Sequence, residues 1–109
     1  MEIDYRDLKE HKIMILNGDM DYFSVSELKN ALFKLIHEKT NSIILDLTNV
    51  EYIDSSAIGL LVNAHKVMNG YNGRIGLVNL PDDILNLIKL STADTIIAIY
   101  KNEEEIPWK

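Results

Sequence analysis

Short runs of apolar, mostly β-branched residues alternate along this chain with segments whose apolar residues recur every three or four positions. The first pattern is typical of buried strands and the second of amphipathic helices. The strand-like runs lie at 12–17, 42–47, 74–79 and 95–100, and the helix-like segments at 24–36, 57–68 and 84–90. A more exposed strand precedes them, where Ile3, Tyr5 and Leu8 alternate irregularly. The predicted order β-β-α-β-α-β-α-β requires crossover connections and therefore an α/β fold with a mostly parallel or mixed sheet.

Residues that favour buried strands or helix starts mark several of these elements. The segment 42–47 is almost wholly apolar, so we predict a central strand that is covered on both faces. Ser24 and Glu27 fit an S-x-x-E capping box at the start of the first helix. Asp54 is a preferred N-cap residue for the second helix, and Pro81 suits the start of the third.

The chain has the length and composition of one globular domain. It contains 109 residues, 47% of them hydrophobic, with a net charge of −6 and no cysteine. This length predicts a single domain over residues 1–109, with a core at about 12–101 and an acidic tail at 102–109. We expect the tail to be a frayed end or a short capping turn. The absence of cysteine excludes disulfides and thiolate chemistry and is typical of a reducing compartment.

Charge and hydropathy argue against two classes of partner. The acidic balance, with Arg6 and Arg74 as the only arginines, argues against nucleic acid. The start of the chain has no signal-peptide pattern, and no apolar run approaches the ~20 residues of a membrane span. We therefore expect a cytoplasmic protein that binds neither nucleic acid nor a membrane.

Candidate catalytic residues are too far apart or in the wrong order. Asp54, Ser55 and His65 suggest a catalytic triad, but ten residues of helix would separate Ser55 from His65 by ~15 Å. The glycine-rich segment 70–76 follows a helix and enters a strand, the reverse of a phosphate-binding loop. The three histidines lack the spacing of metal ligands. The sequence predicts no catalytic residue, no metal and no cofactor.

Polar residues follow two strands at the points where the predicted helices begin. Gly18-Asp19-Met20-Asp21 precedes the first helix, and Asp54-Ser55-Ser56 precedes the second. Such loops meet at the carboxyl edge of a parallel sheet, where functional sites gather. One interpretation is ordinary helix capping by Asp and Ser. The other is that a hydroxyl exposed at a helix start accepts a phosphoryl group, and spacing alone leaves both open.

Taken in order, these segments resemble a bacterial anti-sigma factor antagonist, a free-standing domain of the STAS family. The resemblance covers about residues 13–106 and is carried by the segments 16–21, 24–28, 44–47 and 50–56, by Gly59, and by the segments 69–73 and 77–79. It implies a protein that binds an anti-sigma factor, itself a serine kinase, and so releases a sigma factor. It also implies that the kinase inactivates the antagonist by phosphorylating Ser55, and that a PP2C-type phosphatase reverses this modification.

The resemblance also implies where the partner binds. Ser56 matches a neighbouring hydroxyl position and is the second candidate for phosphorylation. Tyr22 and Phe23 are candidate aromatic anchors, unless one of them packs on the core. The expected partner-binding residues are Asp19, Asp21, Tyr22, Phe23, Asp54, Ser55, Ser56 and Ile58. We expect the free protein to be a monomer.

The chain departs from the family pattern at two places, and two other functions compete with this one. Ala57 and Ile58 stand where relatives usually have glycine and leucine, and Ser91-Thr92-Ala93-Asp94 replaces a turn that often carries glycine. The Ala57 methyl raises the question whether a kinase backbone can approach Ser55. The first alternative is a STAS subunit that binds constitutively in a transporter complex or a stress-sensing scaffold. The second, a small enzyme or nucleotide-binding domain, lacks the phosphate loop and the base that it would need.

Overall fold

The elements follow one another in the predicted order. A computed structural model describes residues 1–107. Its strands are β1 (Glu2–Leu8), β2 (His11–Asn17), β3 (Ser42–Asn49), β4 (Arg74–Val78) and β5 (Ala98–Tyr100). Its α-helices are α1 (Val25–His37), α2 (Ser55–Asn69) and α3 (Asp82–Leu90), and short 3-10 helices occupy Ala93–Thr95 and Glu103–Glu105. The prediction of an α/β fold with the order β-β-α-β-α-β-α-β is confirmed.

Within this described range the strands form one mixed sheet in the order β1-β2-β3-β4-β5. β1 is antiparallel to β2, and the other neighbours are parallel. One face of the sheet packs against the three helices. Its fully buried side chains alternate along the strands, as the pleat requires, and include Met14, Leu16, Leu45 and Leu77.

The opposite face of the sheet is covered in part by the C-terminal segment. Ile13, Ile44 and Val78 form a second buried cluster with Ile106, which lies beyond the last strand. Because both of its faces are covered, β3 is buried from Ser42 to Leu47, as its apolar run predicts. Both imidazole nitrogens of His11 contribute polar contacts here, one 2.6 Å from the Ser42 hydroxyl and the other 3.0 Å from the carbonyl of Pro107.

Two details near the C-terminus differ from the sequence prediction. The predicted strand at 95–100 is shorter, because Thr92 adopts a left-handed conformation and the amides of Thr95 and Ile96 bond back to the carbonyls of Thr92 and Ala93. The amides of Thr95 and Ile96 are therefore not available for hydrogen bonds to β4. In α3, Ile84 and Ile88 are buried but Leu90 is 81% exposed, so the buried face does not extend to the end of the predicted segment 84–90.

Candidate functional site

The two polar loops predicted to share one sheet edge lie side by side. The amide of Met20 donates to the carbonyl of Tyr52 at 2.9 Å, and the amide of Asp54 donates to the carbonyl of Met20 at 3.1 Å. This isolated parallel bridge joins the loop after β2 to the loop after β3. Met20 and Ile53 are both buried, so the bridge also holds the loops onto the core. The starts of α1 and α2 are therefore positioned relative to each other by backbone contacts.

Ser24 does not form the predicted capping box with Glu27. Its backbone is already helical, whereas a capping side chain usually starts from an extended backbone. The Ser24 hydroxyl instead turns back into the loop, where it donates to the carbonyl of Asp19 at 2.5 Å and accepts from the amide of Asp21 at 3.1 Å. The Glu27 carboxylate lies 3.6 Å from the chain's amino terminus. The capping-box prediction is wrong, and Ser24 serves to close the loop.

Asp21 completes the same loop. One oxygen of its carboxylate accepts hydrogen bonds from the amides of Phe23 and Ser24, each at 3.0 Å. The Asp19 carboxylate, by contrast, makes no hydrogen bond or ion pair with any other residue of 1–107, and Asp19 is exposed. Of the two acidic residues, Asp21 therefore shapes the backbone, and Asp19 adds negative charge to the surface.

Asp54 caps α2, as the sequence predicts. One oxygen of its carboxylate accepts from the amides of Ser56 and Ala57 at 3.0 and 3.3 Å, and from the Ser56 hydroxyl at 2.5 Å. That hydroxyl is the main reason why the pKa of Asp54 lies below its ordinary value of 3.8. The backbone amides of Ala57, Tyr22 and Ser56 lower this pKa further, against an opposing effect of desolvation. Asp54 is therefore a carboxylate at neutral pH.

Ser55 and Ser56 are neighbours with different environments. Both are exposed at the start of α2. The Ser56 hydroxyl is held by Asp54, whereas the Ser55 hydroxyl bonds to no group within the described residues. The first turn of a helix favours negative charge through its free amides and the helix dipole. The Ser55 hydroxyl is therefore accessible to another molecule, and the start of α2 would stabilise a phosphate attached to it.

Exposed aromatic rings stand beside the serines. Tyr22 and Phe23 are 66% and 91% exposed, and their rings stack with centroids 5.7 Å apart. The alternative that one of them packs on the core is therefore wrong. Tyr52, on the neighbouring loop, is half exposed and was not among the predicted residues. The sequence offers little indication of this exposure, because an aromatic residue next to the apolar Ile53 is equally compatible with a position in the core.

The two positions after the serine pair point toward the protein interior. Ala57 is fully buried, and its methyl group belongs to the core beneath α2. It therefore does not obstruct the approach to Ser55, which answers the question raised by the missing glycine. Ile58 is partly buried and packs against the same core, so only part of its side chain is available to a partner.

The histidine considered as a catalytic partner of Ser55 lies in a different part of the fold. His65 lies toward the other end of α2, where it lines a cleft of about 240 Å³ with His11 and Ser42, the first residues of β2 and β3. That cleft is at the amino ends of the parallel strands, whereas Ser55 follows a carboxyl end. Across residues 1–107, no three His, Asp or Glu side chains are grouped as metal ligands would be. The same part of the chain contains no helix that is both long and apolar enough to cross a membrane.

Comparisons with known proteins agree with this architecture. The family model for the STAS domain matches residues 2–106. The anti-sigma-B factor antagonist of Staphylococcus aureus is 26% identical over 89 residues, which are 82% of each chain. The crystal structure of a Thermotoga maritima protein, provisionally assigned as an anti-sigma factor antagonist, superposes with a TM-score of 0.88 at 26% identity and covers 94% of this chain and 89% of its own.

A third comparison extends the fold to a protein solved in two states. The anti-sigma factor antagonist SpoIIAA in its unphosphorylated form gives a TM-score of 0.72 at 18% identity, over 95% of this chain and 92% of its own. Its phosphorylated form, from Bacillus, gives 0.70 at 19% identity, over 94% and 95%. At these identities the likeness concerns the fold alone. The family match, which spans nearly the whole sequence, shows that this chain belongs to the STAS domain family.

Proposed function

We propose that the chain is an anti-sigma factor antagonist, which binds an anti-sigma factor and thereby releases a sigma factor. The anti-sigma factor is a serine kinase that ends the interaction by phosphorylating Ser55, and a PP2C-type phosphatase restores the antagonist. The observation that carries the proposal is the exposed and unbonded hydroxyl of Ser55 beside the engaged hydroxyl of Ser56. The names of the relatives support the general role. On this proposal the chain is a cytoplasmic binding protein, monomeric when free, and not an enzyme.

The proposed partner surface joins the two bridged loops to the start of α2. It consists of Asp19, Asp21, Tyr22, Phe23, Asp54, Ser55, Ser56 and the exposed part of Ile58, and we add Tyr52. Large aromatic side chains often carry most of the binding energy in interfaces. The stacked pair of Tyr22 and Phe23 supplies such area without support from the core. Asp19 and Asp54 provide negative charge that favours a partner with basic residues opposite.

A phosphate on Ser55 would change this surface through its charge. It adds about −1.5 to −2 charges next to Asp54, on a chain that already carries −6. The helix start favours the phosphate within the antagonist itself. A partner that had covered a neutral hydroxyl would instead have to bury an unpaired dianion, which typically costs 2–5 kcal/mol of binding. Because every 1.4 kcal/mol is about tenfold in affinity, this is sufficient for release.

The test is phosphorylation by the anti-sigma factor kinase encoded in the same genome. The purified chain is incubated with this kinase and ATP, and its intact mass is measured. We expect one added phosphate on the wild type and on Ser56→Ala, and none on Ser55→Ala. The Ser56 variant is the matched control, since it removes a neighbouring hydroxyl but leaves that of Ser55. Phosphate on Ser55→Ala but not on Ser56→Ala would assign the modification to the second candidate.

The same experiment separates the alternatives. Binding of a partner without any phosphate transfer would favour a STAS subunit that binds constitutively in a transporter complex or a stress-sensing scaffold. Nucleotide hydrolysis or tight nucleotide binding by the isolated chain would favour the enzyme or nucleotide-binding alternative. Treatment of the phosphorylated chain with a PP2C-type phosphatase should restore both its original mass and its affinity for the kinase.

A further inference from the structure

No backbone conformation or contact within the described part of the domain requires a glycine at position 59. It lies in the second turn of α2, is exposed and has a helical backbone. A Cβ atom built at this position would lie more than 4 Å from every atom of residues 1–107 other than those of its chain neighbours and the nearby backbone of α2 itself. Glycine is the least favourable residue in a helix interior apart from proline, because it loses the most backbone freedom on folding. Alanine would therefore serve the isolated domain better.

The other four glycines, all within the described residues, are explained by their backbone or by a close contact. Gly18 has φ +122°, which side chains rarely adopt. A Cβ at Gly73 would lie 2.7 Å from the ring of Tyr71, and one at Gly76 would lie 2.9 Å from the ring of Tyr100. Gly70 ends α2, and its Cβ would come within 3.2 Å of a carbonyl oxygen. The open space at Gly59 is thus an exception among the glycines of this chain.

The position of Gly59 relative to Ser55 indicates what uses that space. The two residues are four apart on α2, so they lie about 6 Å apart along the axis and on the same side of the helix. Ala57, between them, points its methyl group into the core. Glycine allows another backbone to approach closely, since no side chain stands in the way. The exposed strip through Ser55 and Gly59 is therefore a smooth path across α2, next to the proposed phosphorylation site.

We propose that a main-chain segment of the anti-sigma factor kinase packs directly on α2 at Gly59 and that this contact brings the kinase to Ser55. This inference rests on the proposed function, and it adds Gly59 to the partner surface as a residue that determines binding. A side chain at this position would hold the partner away from the helix. Binding and phosphorylation of Ser55 would then weaken together, although the antagonist itself would become more stable.

The experiment compares thermal stability and kinase affinity in Gly59→Ala and Gly59→Leu. The probe is the purified anti-sigma factor kinase from the same genome, titrated by calorimetry, with Ser55 phosphorylation followed by intact mass. For Gly59→Ala we expect the melting temperature to rise by roughly 2–8 °C. We expect the affinity to fall by at least about tenfold. Gly59→Leu should weaken the complex further, because it displaces the partner backbone more.

Matched controls are Asn30→Ala and Asn30→Leu, at an exposed interior position of α1 outside the partner surface. These substitutions should leave the affinity within about twofold, a change below 0.5 kcal/mol. A Gly59→Ala protein that binds and is phosphorylated like the wild type would overturn the inference, and so would one with a lowered melting temperature. If the wild type itself fails to bind the kinase, the proposed function fails instead. The two failures are therefore distinguishable.

Discussion

Two adjacent serines differ here because the capping aspartate bonds to only one of them. Asp54 receives the Ser56 hydroxyl together with two amides, and this leaves Ser55 outside the capping network. The difference cannot be read from the sequence Asp54-Ser55-Ser56, in which both residues have the same side chain. It follows from the extended backbone of Asp54 and the helical backbone after it, which bring Ser56 within reach of the carboxylate.

A charged residue at position 55 should mimic the phosphate without harming the fold. We expect Ser55→Asp to change the free energy of unfolding by less than about 0.5 kcal/mol, because the site is exposed and the start of a helix favours an anion. The same variant should bind the anti-sigma factor kinase more weakly than Ser55→Ala does. Urea unfolding and calorimetric titration measure the two effects. Unfolding of Ser55→Asp at neutral pH would show that the hydroxyl is not at an open helix start.

The lowered pKa of Asp54 predicts that the stability of the protein depends on pH. Its pKa is lowered in the folded protein, chiefly by the Ser56 hydroxyl, so its stabilising effect is fully present above the ordinary pKa of 3.8. This contribution is lost as the pH falls through the lower, folded-state pKa. Asn caps helices about as well as Asp, so Asp54→Asn removes the charge and keeps the cap.

We therefore expect Asp54→Asn to be less stable than the wild type at pH 6 and to approach it in stability as the pH falls below 3.8. Thermal melts over this pH range measure the difference between the two proteins. An unchanged difference at the acid end would show that the ionised carboxylate is not the stabilising form.

At the scale of elements, a helix start and a loop compete for the same hydroxyl. The sequence Ser24-Val25-Ser26-Glu27 has the residue types of a capping box, and a local rule assigns Ser24 to α1. In the folded chain the preceding loop is held against the loop after β3 by the bridge between Met20 and Ile53, and this brings the carbonyl of Asp19 to the Ser24 hydroxyl. A nonlocal contact therefore overrides the local preference.

The two possible roles of Ser24, in a capping box with Glu27 or in closing the preceding loop, predict different effects of mutation. Ser24→Ala removes two part-buried hydrogen bonds of the Ser24 hydroxyl, one to the carbonyl of Asp19 and one from the amide of Asp21, and should cost about 1–3 kcal/mol of stability. Glu27→Ala should cost less than about 0.5 kcal/mol, because no capping box exists for it to complete. Chemical denaturation of both variants measures this difference. Equal losses of stability in the two variants would support the capping box and contradict the role of Ser24 in closing the loop. The Ser24 variant should also weaken partner binding, because it loosens the loop that presents Tyr22 and Phe23.

At the scale of the whole molecule, the helices cover one face of the sheet and the C-terminal segment covers part of the other. Ile106 is 1% exposed and completes the cluster with Ile13, Ile44 and Val78. An ion pair between Arg6 and Glu103 and the contact of His11 with the Pro107 carbonyl bring the segment against the sheet. Residues 103–107 thus belong to the packed structure, and of the two predicted forms of the tail, a frayed end or a short capping turn, they agree with the second. Residues 108–109 of the predicted tail lie outside the described residues.

We expect Ile106→Ala to lower the free energy of unfolding by about 2–4 kcal/mol, because it removes buried methylene and methyl groups from the cluster. Glu104→Ala, two residues earlier and exposed, is the matched control and should cost less than about 0.5 kcal/mol. Urea denaturation of both variants provides the values. A loss in Ile106→Ala no larger than that of the control would mean that the segment does not stabilise the sheet. Binding at Ser55 should be unaffected, since the two sites are on different parts of the sheet.

The sequence alone determined the order of the elements, the buried central strand and the two loops at the carboxyl edge. All of these depend on hydrophobic periodicity and helix capping, which act over a few residues. Only the tertiary structure decided which serine is free, where the Ala57 methyl points, and that both aromatic rings at 22 and 23 are exposed. It also decided that Ile106 packs on the face of the sheet opposite the helices. The burial of Ala57 and of Ile106 depends on contacts between residues far apart in the chain, which exist only after the sheet and helices have packed. The contact between Asp54 and Ser56 is local, but it depends on the backbone conformation at the start of α2.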